Sequence, residues 1–372
     1  MRCLRSIAAT TAAASLLAAC STDHHPARFE PTPRPGRPGE AVVIAGEYRV
    51  NRDPKDGEFA VRSSAYSDGG LAVTAAGRPY FEVAFGEQGR IARIERDGRL
   101  TLLSLGELPD QLAADTGALW LLRSVGGLSL VRASLSDLTQ TVYARWRSQG
   151  KPDLMKVTNH DGRPFGAAEQ AALSRDWLGS KLVLRGDGVP ILVNQKGALF
   201  EARGGGELRA WNSGDYVMAL RAVTPTGGDF TVTAAGSDGR GGLVVVGRTG
   251  LIRVPREAPA SAVPFPESAR SQPPWTAVTS MQDGSLLLLG GVDASHRTPR
   301  PVLVRSDGSL LLLNWGGPKW CDQFDGTSAA VASAVPGGVG RLPNGDLVLS
   351  DKNCGRVYEF RPPSNMDGRP YR

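Results

Sequence analysis

The chain reads as an all-β protein whose main domain is a six-bladed β-propeller. Three observations predict this. A unit of apolar strand, tight turn and second apolar strand recurs from Val42 onward, and repeats of this length mark rings or solenoids. Asp-Gly or Asn-Gly pairs fall between the apolar runs, where hairpin turns tolerate them. Runs such as Leu286–Leu289 and Leu310–Leu313 do not alternate with polar residues, so their strands are expected to be buried on both faces.

Residues 1–19 come first, and they have the build of a secretory signal. Arg2 and Arg5 supply positive charge without an acid, and an apolar stretch of mainly Ala, Thr and Leu runs from Ile7 through Ala19. A bilayer span takes ~20 apolar residues, more than this stretch has. It ends in Leu17-Ala18-Ala19-Cys20, which resembles the bacterial lipobox, so Cys20 is expected to carry the lipid as the first mature residue. The alternative is an ordinary cleavage after a small residue, with Cys20 incidental. Acyl chains contribute ~0.8 kcal/mol per buried methylene, so two or three would hold a domain firmly on a membrane. The expected location is therefore the outer, extracytoplasmic face of the cell membrane.

Residues 20–40 comprise the lipidated cysteine and a linker. Pro26, Pro31, Pro33, Pro35 and Pro38 make it a semi-extended spacer with little to bury. His24 and His25 beside Asp23 are expected to be solvated rather than metal ligands.

The propeller is assigned to residues 41–363 and a C-terminal tail to 364–372. Its six copies begin near Gly69, Gln111, Lys181, Thr231, Thr276 and Gly338. The last copy lacks an outer strand. Ala41–Gly46, AVVIAG, stands ahead of the first blade and could supply it, closing the ring. A solenoid or two smaller β domains would be the alternatives, but a closed ring hides strand edges. Helices of any length are not indicated, apart from one short candidate at Ala167–Leu173. Gly204-Gly205-Gly206 reads as a hairpin turn rather than a phosphate cradle.

These repeats resemble NHL-type propeller repeats. Residues 161–193 carry the likeness as Asp-Gly, an Ala-rich stretch, then strand, Asp-Gly and strand. Residues 325–360 repeat that pattern, and residues 56–94 do so again, ending in GRIARI. The resemblance spans roughly Val42 to Pro362 and implies a six-bladed ring. Of the usual Asn-x-Arg-(Ile/Val) signature, only GRIARI and CGRVYEF approach the form.

Four cysteines are present. Cys3 leaves with the signal and Cys20 takes the lipid, so Cys321 and Cys354 remain and can pair in an oxidising compartment. Two free buried thiols are the alternative.

Charge excludes one class of partner. The formal excess is +6, falling to +4 once Arg2 and Arg5 are removed, and the basic residues are scattered. No nucleic-acid footprint results. A protein, peptide or carbohydrate partner, besides the membrane, fits this surface better.

Catalytic signatures are sparse. Six-bladed lactonases and lyases place carboxylates, Asn or several His on the axis, but His160 and His296 each lack a second histidine at ligand spacing. No Gly-x-Ser-x-Gly, phosphate-loop or HExxH motif occurs, so no catalytic residue and no cofactor is assigned. Asp322 and Asp325, near Cys321, are the candidates for a calcium site, but without further oxygen ligands they read as part of an Asp-Gly turn, and no metal is assigned. Trp315 and Trp320 bracket a Gly/Pro loop and are the candidates for ligand binding. The alternative is that they fill gaps between blades. The sequence thus points to a membrane-anchored lipoprotein with a non-enzymatic binding propeller, the runner-up being a metal-dependent hydrolase or lyase.

Overall fold

The computed structural model describes residues 32–47, 52–63, 70–85, 88–105, 109–123, 127–146, 154–166, 175–211, 213–270, 272, 274–290, 300–315, 321–324, 326–328, 331, 334–364, 366 and 368–370. The candidate helix at Ala167–Leu173 lies outside them.

Strand β1 spans Ala41–Ala45. Blade one contains β2 (Leu71–Val73), β3 (Pro79–Phe85), β4 (Gln88–Ile94) and β5 (Leu100–Leu103). Blade two follows with β6 (Gln111–Ala114), β7 (Ala118–Arg123), β8 (Leu128–Ser134) and β9 (Gln140–Trp146). The short β10 (Lys156–Thr158) precedes blade three, formed by β11 (Lys181–Leu184), β12 (Pro190–Val193), β13 (Leu199–Ala202) and β14 (Glu207–Ala210). Blade four has β15 (Val232–Ser237), β16 (Leu243–Gly247), β17 (Gly250–Val254) and β18 (Ser261–Pro264). Blade five has β19 (Trp275–Ser280), β20 (Leu286–Gly290), β21 (Val302–Val304) and β22 (Leu310–Leu313). Blade six has β23 (Pro336–Arg341), β24 (Leu347–Asp351) and β25 (Arg356–Phe360). The first strand of each blade packs beside that of the next, and β2 returns to β23, so the six sheets close a ring.

The closing strand is where the sequence placed it. β1 pairs antiparallel with β25, from Ala41 opposite Phe360 to Ala45 opposite Val357, and supplies the outer strand of blade six. Two blades carry a fifth strand that the repeats did not announce. β10 runs parallel to β14, and β26 (Gly368–Pro370) adds antiparallel to β22. Part of the segment read as a tail, 364–372, is thereby tied to blade five.

Burial explains the unbroken apolar runs. In β20, Leu286 and Leu288 enter the cluster between blades four and five, while Leu287 and Leu289 enter the one between blades five and six. A strand between two blades feeds a core on each side, each buried leucine contributing roughly 1.5–3 kcal/mol. β22 departs from the expectation of burial on both faces. Leu311 and Leu313 are buried and Leu310 and Leu312 only half-buried.

The turns also differ from expectation. A two-residue Asp-Gly hairpin turn would hold both central residues at positive φ, yet among the described Asp-Gly pairs only the glycine does so. At Asp307-Gly308, the Gly308 N–H donates to Arg305 O at 3.0 Å and the Arg305 N–H to Ser309 O at 2.9 Å. Gly308 has φ 84°. This is a type I turn followed by a left-handed glycine, and the Asp307 carboxylate accepts the Ser309 N–H at 2.8 Å. The same arrangement recurs at Asp283-Gly284 and Asn344-Gly345.

A ten-residue helix, α1 (Gly214–Val223), connects blades three and four, although no helix of that length was expected. Ser213 caps it by accepting the Tyr216 N–H. Tyr216, Ala219 and Val223 form its buried face.

Candidate functional site

All six inner strands run in the same direction along the ring axis and surround a cavity of about 1050 Å³. Small residues at the walls let these strands approach closely. A Cβ on Gly236 would lie 2.7 Å from Val278 O, and one on Gly338 would lie 2.9 Å from the Leu71 N. The resulting channel is large enough for a small-molecule ligand.

Its two ends differ electrostatically. Where the inner strands finish, Arg185, Asp115 and Arg341 have hydrogen-bond partners within the protein. Arg185, just past β11, donates to Asp187 Oδ1 and Oδ2 at 3.0 Å and lies 3.6 Å from Glu201. The hydrogen bond from Arg185 holds the Asp187 carboxyl below its ordinary range. Asp115 accepts from Trp120 Nε1 at 3.0 Å and from the Gly117 and Ala118 N–H groups at 2.7 Å. Arg341 reaches from blade six to Met281 O of blade five at 3.0 Å.

Where the inner strands begin, the arrangement is different. Lys181 is the first residue of β11, and Lys352 immediately follows β24 beside the start of β23. Both line the cavity and both are half-buried. Blades three and six stand opposite each other in the ring, so the two lysines face the axis from opposite sides. Among the described residues neither ammonium has a hydrogen bond or an ion pair. Burial pushes the Lys181 ammonium below its ordinary range, and the Lys352 charge adds to that, while Asp110 opposes it. Gln111 sits at the same mouth, where its Oε1 accepts the Leu182 N–H at 2.8 Å.

The residues singled out by sequence lie elsewhere. Cys321 and Cys354 form a disulfide, with Cα atoms 5.3 Å apart, joining the connector between blades five and six to the β24–β25 turn. Around it Phe324 stacks on Tyr358 at 5.1 Å, and Arg356 donates to Cys321 O at 2.7 Å. Trp315 is buried edge-on against Phe360 at 5.2 Å, in the core between blades five and six. It therefore fills the gap between blades that the alternative assigned to it. Among the described residues its indole Nε1 finds no hydrogen-bond partner. Asp322 belongs to the short turn Cys321–Gln323. His160 is exposed and paired with Asp161 at 2.9 Å. Trp320, Asp325, His296 and Cys20 lie outside the described residues. Among the described residues, no three His, Cys, Asp or Glu side chains gather closely enough to hold a metal ion.

No family model matches the chain. No curated relative matches it either. Among solved structures it is similar to a streptogramin B lyase, at 12% identity and a TM-score of 0.46, covering 81% of this chain and 95% of that one. It is similar to a gluconolactonase from Xanthomonas campestris, at 12% identity and a TM-score of 0.45, covering 88% and 99%. A third likeness is to the extracellular domain of a putative one component system from B. thetaiotaomicron, at 10% identity and a TM-score of 0.44. That match covers 83% of this chain and 40% of the other. Identities this low leave the chemistry of the chain to its own residues.

Proposed function

We propose that this chain is a membrane-tethered binding module that takes a ligand in the axial channel of its propeller. Removal of residues 1–19 leaves Cys20 to carry the acyl chains, and residues 20–40 space the ring from the outer face of the membrane. The observation that carries the binding reading is the axial cavity of about 1050 Å³ with the unpaired Lys181 and Lys352 at one mouth. A metal-dependent hydrolase or lyase needs several oxygen or nitrogen ligands on the axis. Asp110, Asp115 and Asp187 do line the cavity, but among the described residues no three His, Cys, Asp or Glu side chains gather closely enough to hold a metal ion, and Lys181 and Lys352 stand on the same axis.

Two measurements test this. The full-length lipoprotein in detergent is equilibrated with small molecules extracted from the cell envelope, washed and denatured, and released compounds are identified by mass spectrometry. A compound retained by the native protein and lost from Ala235→Phe, which narrows the channel, supports the reading. No retained compound, or equal retention by both, refutes it. Labelled palmitate should enter the native chain and not Cys20→Ser, and label persisting in the variant would remove the anchor.

A further inference from the structure

The charges at the two ends of the channel are not arranged alike. At the finishing end, Arg185 has two carboxylates and Arg341 has backbone carbonyls to satisfy it. At the starting end, Lys181 and Lys352 both line the cavity with no hydrogen-bond acceptor for either ammonium among the described residues, and Asp110 is the carboxylate that faces Lys181. Two ammonium groups confined in one mouth repel each other, and the surrounding protein screens that repulsion less than bulk water would. Low-dielectric walls also focus the field into the opening, which raises the local concentration of a small anion. Thr276 lines the same cavity, and its hydroxyl can donate to an oxyanion.

We infer that the mouth between Lys181 and Lys352 is an oxyanion site, holding a carboxylate or phosphate group of the ligand between the two ammonium groups. The assignment rests on the axial channel being the binding site, and it adds the charge of what binds there. Lysine suits such a site as a mobile point charge, without the fixed fork geometry of arginine. The ligand completes the electrostatics of a mouth that the protein leaves unbalanced.

Thermal melting of the full-length protein in phosphate, acetate or chloride at equal ionic strength tests the assignment. Phosphate or acetate should raise the native melting temperature by about 2–4 °C over chloride at tenfold excess over Kd. Whichever salt does so distinguishes a phosphate site from a carboxylate site. Lys181→Met and Lys352→Met should each lose the shift while melting in chloride no lower than the native protein, because repulsion is relieved. A second reading needs no variant: acetylation of Lys181 by acetic anhydride, followed by peptide mass mapping, should slow several-fold in the active anion. Equal shifts in all three proteins, or no shift together with unchanged acetylation, would mean an adventitious ion only and would overturn the site. A compound retained by the native protein and both lysine variants alike would also overturn it, yet leave the axial-channel reading standing.

Discussion

Asp351 offers the sharpest test of how burial sets the energetics of blade six. The residue ends β24, and only 2% of its surface is exposed. Its carboxyl accepts the Val335 and Asn353 N–H groups at 3.2 and 3.0 Å, and the Tyr358 hydroxyl donates to it at 3.3 Å. Burial outweighs these bonds and pushes its pKa up to about 6. An unfolded aspartate titrates near ~3.9, so between about pH 4 and pH 6 the folded chain binds a proton that the unfolded chain does not. Stability contributed by this group is therefore present below that window and falls as pH rises through it. A shift of about 2 units corresponds to about 3 kcal/mol. Asp351→Asn keeps an acceptor for both backbone N–H groups and cannot ionise. Other carboxyls are held low, among them those of Asp187, Asp283 and Asp307, and they act in the opposite direction at lower pH. The quantity to measure is therefore the difference between the two proteins. Urea unfolding at pH 4, 5, 6 and 7 should show the variant gaining about 2 kcal/mol on the native protein from the lowest to the highest pH, the remainder lying below pH 4. A difference that stays constant over this range would refute the assignment of the raised pKa to Asp351.

Further predictions concern the ring. Replacing Cys321 and Cys354 together by Ser opens a loop of sequence separation 33 and should cost about 4 kcal/mol in urea unfolding, with added reductant doing the same to the native protein. Gly236→Ala would place a methyl group 2.7 Å from Val278 O, so a loss of about 1–3 kcal/mol is expected. An unchanged unfolding midpoint would mean that the inner strands are not closely apposed there. Ile44→Ala removes a fully buried side chain from the closing strand and should cost about 2–5 kcal/mol. Faster proteolysis on the N-terminal side of blade one should accompany it, and an unchanged cleavage rate would count against closure by β1.

Much of this fold was legible because burial on two faces leaves a pattern that few other architectures produce. Leu286–Leu289 feeds two cores at once, and AVVIAG was the one apolar stretch left to complete blade six. The disulfide followed from compartment and elimination, and its partners do meet. The helix α1 was missed although its marks are present: Ser213 at the cap, then Tyr216, Ala219 and Val223 on one face. Its apolar stripe is brief, and it stands between two blades whose strand periodicity dominates the neighbourhood. The three-residue strands β10 and β26 are too short to carry any periodic signal. The turn geometry was misjudged because Asp-Gly serves both two-residue hairpins and type I turns closed by a left-handed glycine. Only the following hydrogen bonds distinguish them.

The channel mouth was hidden for a different reason. Lys181 and Lys352 are distant in sequence, and each alone reads as a solvated surface residue. Propeller symmetry brings them together, since blades half a ring apart face each other across the axis. The first residues of the inner strands do hold a clue. The starts of β2, β6, β15, β19 and β23 are Leu71, Gln111, Val232, Trp275 and Pro336, and β11 alone begins with a charged residue. Asp110, directly before β6, brings the opposite charge to the same mouth. The same comparison applied to the finishing ends finds Arg185 and Arg341, but both have partners within the protein. Position on the axis therefore does not by itself mark a site. The distinguishing property is a cation on the axis that the fold leaves without an acceptor.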